Sequence, residues 1–320
     1  MKKFTTVKDV DDLKELLSLA QKVKQNPFDY QEMGRNKTLG LLFFNPSLRT
    51  RLSTQKAAIN LGMNVMVMNL NNDGWSIELE DGTVMNEGTQ EHIKEAAGVI
   101  SQYCDIIGVR TFASLTDKID DYDEVILNKF IDYATVPVVS LESATLHPLQ
   151  SFADVITIDE NKTKPKPKVV LTWAPHPKAL PQAVANSFVE WINETDVELV
   201  ITSPKGFDLS SQFTKGVEIN HNQNEALAAA DFVYAKNWSS YNDYGKIGTE
   251  LDDWTITKEK MKLTNNAKFM HCLPVRRNVV VSDEVIDSKN SLVLEQANNR
   301  TYAAQTILLK MLQHKSCHSD

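Results

Sequence analysis

Short apolar runs alternating with helical segments predict an α/β protein in two domains, each a mostly parallel sheet flanked by helices. Three observations carry this. Several runs are apolar along their whole length, as strands covered on both faces must be. The segments between them repeat their apolar residues at helical spacing. The chain of 320 residues is long enough for two cores of ordinary size.

Taken in order, Val10, Leu13, Leu16, Leu17, Ala20 and Val23 fall at helical spacing, so residues 9–24 predict an amphipathic helix. Strands are predicted at residues 39–44, 65–70, 104–110, 136–141, 169–173, 198–202, 232–235 and 269–273. Helices are predicted at 48–61, closed by Gly62, and at 182–193. The polar, proline-containing stretch "NKTKPKPK" (161–168) reads as an inter-domain connection, so the boundary is expected near 150–165. A last helix at 302–314, within the segment 301–320, is expected to pack back on the first domain. The sequence carries no internal repeat.

Forty-two acidic against thirty-four basic residues give a net charge of −8, which argues against a nucleic-acid or membrane-surface binder. Any anion must then be held by a local cluster. Cys104, Cys272 and Cys317 are too few and too scattered for a disulfide framework, and the start has no long apolar stretch, so a cytoplasmic protein is expected. No His or Cys pair has metal-ligand spacing, and no metal or cofactor is expected.

"FFNPSLRTRLSTQ" (43–55) runs from strand through Asn45-Pro46-Ser47 into helix. A helix N-terminus just past a strand end offers free N–H groups and the positive end of the dipole to an anion. Ser47 and Thr50 add hydroxyl donors, and Arg49 adds a fork that matches phosphate oxygens. The alternative is an ordinary capped helix with two solvated arginines, but two arginines in a first turn oppose the dipole unless an anion compensates. Arg110 ends one apolar strand and Glu142 another, the latter followed by His147-Pro148-Leu149-Gln150. A further strand ends in Cys272-Leu273-Pro274 with Arg276 and Arg277 behind it, and Arg300 stands before the expected final helix. Singly, each has a structural alternative: a hydrogen-bonded histidine, a buried small hydrophobe at Cys272, a lone surface aromatic at Trp75. Their recurrence at strand ends, where ligands of open α/β sheets collect, is what points to a site.

In this order, "FFNPSLRTR", "VRTF", "HPLQ", "HCLPVRR" and the late "NNR" resemble the aspartate/ornithine carbamoyltransferase superfamily over essentially the whole chain. Leu48 departs from the usual Ser-Thr-Arg-Thr-Arg pattern at a position that contributes mainly its backbone N–H. Free-ornithine members carry a Ser-Met-Gly loop, which is missing here; "TWAPHPKALPQA" (172–183), "YAKNWSSY" (234–241) and "HCLPVRRN" resemble instead the branch that accepts an Nα-acylated ornithine. Acetyl-type members carry Glu where Gln90 stands and succinyl-type members carry Pro. Gln90 does not repel the extra carboxylate of a succinyl group, so N-succinylornithine is the expected acceptor, with N-acetylornithine as the alternative. Free ornithine and a non-catalytic anion-sensing module are the remaining rivals.

The resemblance implies that residues 1–150 bind carbamoyl phosphate and 151–300 the acylornithine. Ser47, Leu48, Arg49 and Thr50 would hold the phosphate, with Trp75 and the Gln90 loop reaching in from a neighbouring subunit of a homotrimer. Thr50, Arg110 and His147 would polarise the carbamoyl oxygen. Gln150, Cys272 and Leu273 would receive the carbamoyl NH2, and Arg300 would close the site. Glu142, His176, Lys236 and Arg276 are expected at the acceptor. A knot through a proline-rich loop at 174–182 is expected in the second domain.

Overall fold

The protein is seen in a computed structural model that describes residues 1–248 and 252–316. Cys317 and the end of the predicted segment 301–320 lie outside the described residues. The chain forms two compact units. One comprises Met1–Ala113, Ile119–Leu149 and the chain from Arg300; the other comprises Ser114–Lys118 and Gln150–Asn299.

The first unit holds a five-stranded parallel sheet of β1 (Lys3–Phe4), β2 (Thr38–Phe43), β3 (Asn64–Asn69), β6 (Ile106–Arg110) and β7 (Val138–Glu142), in the order β1-β7-β6-β2-β3. A small separate ladder pairs β4 (Ile77–Glu78) with β5 (Glu91–His92). The helices α1 (Leu13–Gln25), α2 (Arg49–Asn60), α3 (Leu70–Asp73), α4 (Ile93–Tyr103), α5 (Lys118–Tyr122) and α6 (Val125–Tyr133) connect these strands. Burial follows strand position: β6 and β7 are buried throughout, whereas the edge strand β3 alternates with solvent.

The second unit carries β8 (Lys168–Trp173), β9 (Glu198–Thr202), β10 (Glu218–Asn220), β11 (Phe232–Lys236) and β12 (Lys268–Met270), all parallel, in the order β10-β9-β8-β11-β12. Helix α7 (Pro148–Asn161) leads into it, and α8 (Ala183–Ile192) is buried at every residue except Glu190. The two-domain α/β class and the long strands are as the sequence predicts.

Four differences have physical causes. Helix α1 starts at Leu13 rather than near residue 9, because the Asp12 carboxylate caps the N–H groups of Lys14 and Glu15 at 2.8 and 3.0 Å. Strand β12 stops at Met270, not 273: the His271 N–H turns to Gln296 Oε1 at 3.0 Å, and Leu273 adopts φ +56°. Strands β1, β4, β5 and β10 are two or three residues long, too short for a periodic signal. The C-terminal helix runs over Val293–Ser316, so Arg300 lies inside it and not before it. Its first two turns are held to α7 by polar groups. Asp154 accepts from Gln296 at 2.7 Å, Thr157 and Glu160 accept from Asn299 at 3.0 and 2.8 Å, and Asn161 donates to Glu295 at 2.8 Å. A face buried through hydrogen bonds has no apolar period. Further along, Gln305 joins Asn60 at 2.9 Å and the Pro27 carbonyl oxygen at 2.6 Å.

Helix α2 is closed after its C-cap Leu61 by Gly62, which has a φ of +79° and where a Cβ would collide with the Gln31 carbonyl oxygen, so no side chain fits. Gly62→Ala is expected to destabilise the protein by about 2 kcal/mol. A thermal melt that matches the wild type would contradict this.

Candidate active site

Both sheets reverse their winding once, and the reversal decides where a ligand can sit. Counting the four long strands of the first unit in chain order, they lie 4-3-1-2, so the switch falls between β2 and β6. Counted likewise, the second sheet reads 3-2-1-4-5, with its switch between β8 and β11. At such points the loops leave neighbouring strands in opposite directions and open a crevice at the carboxyl ends.

In the first unit the crevice at the switch is where the predicted residues stand. Chain leaving β2 turns through Asn45–Leu48 into α2, with Leu48 as N-cap and the Thr50 N–H on Ser47 Oγ at 3.3 Å. Leu48 is itself exposed, consistent with a backbone rather than a side-chain contribution at that position. Strand β6 ends in Arg110 and β7 in Glu142. A register shift between Val109 and Arg110 sets Arg110 opposite Glu142 rather than Leu141. Bulges re-aim side chains in this way beside active sites.

The side chains then converge. Arg300 Nη2 donates to Thr50 Oγ1 at 2.6 Å, and Arg110 Nη1 donates to the same oxygen at 3.4 Å and to Glu142 Oε2. His147 Nε2 lies 3.5 Å from Glu142 Oε2. Thr50, Arg110, Glu142, His147 and Arg300 are all less than 10% exposed. Buried positive groups of this density are tolerated only with a counter-charge, and Glu142 is the carboxylate among them. Together with the α2 N-terminus they form a donor-rich, positive site suited to a phosphate and a polarised carbonyl oxygen. Arg49 is partly exposed in the first turn of α2.

Trp75 and Gln90 lie elsewhere in this unit. They flank the β4–β5 ladder, where the Gln90 N–H donates to the Ser76 carbonyl oxygen at 3.0 Å. Trp75 is 54% exposed, and its indole N–H donates to Glu91 at 2.7 Å.

The second unit gathers the rest into two groups. Gln150 Nε2 donates to Asp154 Oδ1 at 2.7 Å, and Gln296 Nε2 donates to the same oxygen at 2.7 Å. Gln296 Oε1 in turn holds the His271 N–H, just before Cys272 and Leu273. The fully buried Tyr234 sits beside this group; burial, then the neighbouring Asp154 and Cys272, push its hydroxyl pKa well up. Asp154, Tyr234 and Gln296 escape the sequence reading, although Asp154 four residues after Gln150 on one helix face was a usable sign. The other group lies at the carboxyl ends of β8 and β11. Lys236 is buried and donates to the Asn237 carbonyl oxygen at 2.9 Å. Arg276 Nε–H donates to His176 Nε2 at 3.2 Å, while His176 Nδ1 lies 2.9 Å from the Lys178 carbonyl oxygen and 3.1 Å from the Lys178 N–H. Arg277 behind it is fully engaged with Asp283 and Asp287. Among the described residues no three His, Cys, Asp or Glu side chains are placed to hold a metal ion.

Burial, and then the cations Lys236, Arg276 and Lys178, depress the His176 pKa below its ordinary 6.5. A histidine that is harder to protonate when folded keeps its full contribution to stability above 6.5 and loses it as the pH falls toward the folded value. Thermal stability is therefore expected to drop on acidification from about pH 7 to about pH 5, and to drop less in His176→Gln. Melts with the same pH slope in both proteins would count against a lowered His176 pKa.

Two family models match the chain: "Aspartate/ornithine carbamoyltransferase, carbamoyl-P binding domain" over residues 2–160, and "Aspartate/ornithine carbamoyltransferase, Asp/Orn binding domain" over residues 181–311. The N-succinylornithine carbamoyltransferase of Bacteroides thetaiotaomicron is 53% identical over 98% of this chain and 99% of its own. The N-acetylornithine carbamoyltransferase of Xanthomonas campestris pv. campestris is 35% identical, over 94% of both chains. Among solved structures, a variant of N-acetyl-L-ornithine transcarbamylase complexed with carbamyl phosphate and N-succinyl-L-norvaline superposes with a TM-score of 0.93 at 34% identity, covering 97% of this chain and 100% of the other.

Proposed function

We propose that this chain, which belongs to the aspartate/ornithine carbamoyltransferase family, transfers the carbamoyl group of carbamoyl phosphate to the side-chain amine of N2-succinyl-L-ornithine, in arginine biosynthesis. The products are N2-succinyl-L-citrulline and phosphate. The observation that carries the reaction class is the convergence of Arg110 and Arg300 on Thr50 Oγ1 at the start of α2, with His147 alongside. The succinyl group is favoured over acetyl by the higher identity to relatives named for it, and Gln90 places no carboxylate against it.

The phosphate is held by Ser47, the Leu48 N–H, Arg49 and Thr50, where the helix dipole adds to side-chain charge. As the amine attacks, the carbamoyl oxygen gains negative charge that Thr50, Arg110 and His147 stabilise; each such donor contributes about 3 kcal/mol. Gln150 and the carbonyl oxygens of Cys272 and Leu273 receive the carbamoyl NH2, and Arg300 closes the site. The acceptor is bound by Glu142, His176, Lys236 and Arg276, with Lys236 and Arg276 suited to its carboxylates. Its amine must be neutral to attack, and a site rich in cations depresses the ammonium pKa from about 10. The departing phosphate takes the proton. In this scheme residues 1–150 act as the carbamoyl-phosphate domain and 151–300 as the acylornithine domain. The reaction gains chiefly from orientation and charge stabilisation.

The active form is a homotrimer in which Trp75 and the Gln90 loop serve the site of a neighbouring copy. Its support is that Trp75 is largely exposed and that Leu52 and Ile59, one face apart by two turns of α2, are exposed apolar side chains, as is Met66 on the edge strand β3. A cytoplasmic location fits thiols at Cys104 and Cys272 that form no disulfide, and no described helix is long and apolar enough to cross a membrane. A knot at 174–182 fits the hydrogen bonds from that loop to residues 236–239, such as Ser239 N–H to the Leu180 carbonyl oxygen at 2.9 Å.

Citrulline-type product formation is the direct test, with carbamoyl phosphate and, in parallel, ornithine, N-acetylornithine and N-succinylornithine. Turnover is expected with the succinyl acceptor, and Gln90→Glu is expected to lose that activity preferentially. Tight carbamoyl-phosphate binding without any turnover would instead favour the anion-sensing module. For the shared site, mixing inactive Trp75→Ala and Arg110→Ala trimers is expected to restore about a quarter of full activity as subunits exchange into intact pairings. No recovery, under conditions where exchange is seen by mass, would refute it.

A further inference from the structure

Glu124 lies between α5 and α6, immediately before the latter, with φ +52° and ψ +39°. That left-handed region suits Gly, Asn or Asp, and a longer L side chain enters it only under compensation. The compensation lies in one loop. Glu124 Oε1 accepts from Ser143 Oγ–H at 2.6 Å, from the Thr145 N–H at 2.7 Å and from Thr145 Oγ–H at 2.5 Å, while Oε2 accepts from the Ala144 N–H at 3.1 Å. Burial pushes the Glu124 carboxyl pKa up, against the pull of these four donors.

The loop closes on itself as well. The Ser143 N–H donates to the Leu146 carbonyl oxygen at 2.8 Å, and the Leu146 N–H donates to Ser143 Oγ at 3.2 Å. Glu142 directly precedes this four-residue turn and His147 directly follows it. The turn's shape therefore sets the 3.5 Å separation of His147 Nε2 from Glu142 Oε2 and, through Glu142, the position of Arg110.

We propose that Glu124 is a positioning residue for carbamoyl transfer, its carboxylate fixing the 143–146 turn so that Glu142 and His147 stand in register with Arg110. It touches no reacting atom and lies outside the phosphate-binding turn at 47–50. The inference rests on the carbamoyltransferase reading for its kinetic consequence, but the turn's order can be measured independently of activity.

Glu124→Gly removes the carboxylate while relieving the left-handed backbone, and Glu124→Gln, which keeps the backbone restriction, separates the loss of the carboxylate from the freedom glycine adds. It is expected to lower kcat about 10²-fold, as a misplaced oxyanion donor does, while inhibition by inorganic phosphate changes less than about threefold. Glu124→Gln keeps one acceptor oxygen for three of the four donors and is expected to stay within about tenfold of wild type. Amide exchange at 143–147, read by mass spectrometry on the whole protein, is expected to speed up in both variants while β2 and α2 are unchanged. Unaltered exchange at 143–147 overturns the proposal, as does a Glu124→Gly enzyme with wild-type kcat or one that loses phosphate inhibition in step with kcat. Should Glu124→Gly not fold, the same exchange and phosphate-inhibition criteria apply to Glu124→Gln. Should the wild type make no citrulline product, the function fails separately and the exchange data still decide the turn.

Discussion

A single buried carboxylate makes the site possible. Arg110, Arg300 and the imidazole of His147 are almost entirely removed from water, and an unpaired buried guanidinium costs several kcal/mol. Glu142 lies against two of them, and the Thr50 hydroxyl oxygen accepts from two. The backbone supplies the alignment: a register shift at the end of β6 turns Arg110 to face Glu142, and both residues are the last of their strands. Rigid parallel strands thus deliver charged groups to a place where flexible loops would have left them solvated.

Winding explains why the polar residues collect where they do. Each sheet reverses direction once, and in each the strands beside the reversal lead into the polar side chains singled out above: the turn after β2 and Arg110 in one, the His176 segment and Lys236 in the other. The two strand orders differ, so this is one physical rule applied to two topologies rather than an ancestral duplication visible in the fold. It also fits the absence of a repeat in the sequence.

Strands were legible because β2, β6, β7, β8 and β11 are covered on both faces and so must be continuously apolar. Residues that end such strands, Arg110 and Glu142, were legible for the same reason, since a charge closing an apolar run has few explanations, whereas Lys236 was reached only through the family resemblance. What escaped was structure built from polar contacts. The first turns of the C-terminal helix bury Gln296 and Asn299 against α7 by hydrogen bonds, which leaves no hydrophobic period to detect. Glu124 was invisible because its partners lie about twenty residues away in sequence, and Asp154 was passed over although its spacing from Gln150 was a sign. The β4–β5 ladder was too short to signal at all.

Asp154 carries one more consequence. A carboxylate oxygen that accepts from the Gln150 NH2 dictates which end of that amide is presented away from it, namely the carbonyl oxygen. In the proposed reaction such an oxygen would accept an N–H of the carbamoyl nitrogen, which a methyl group of equal size cannot offer. On that reading, the choice between carbamoyl phosphate and acetyl phosphate would follow from an amide's orientation, held by a carboxylate four residues further along the same helix.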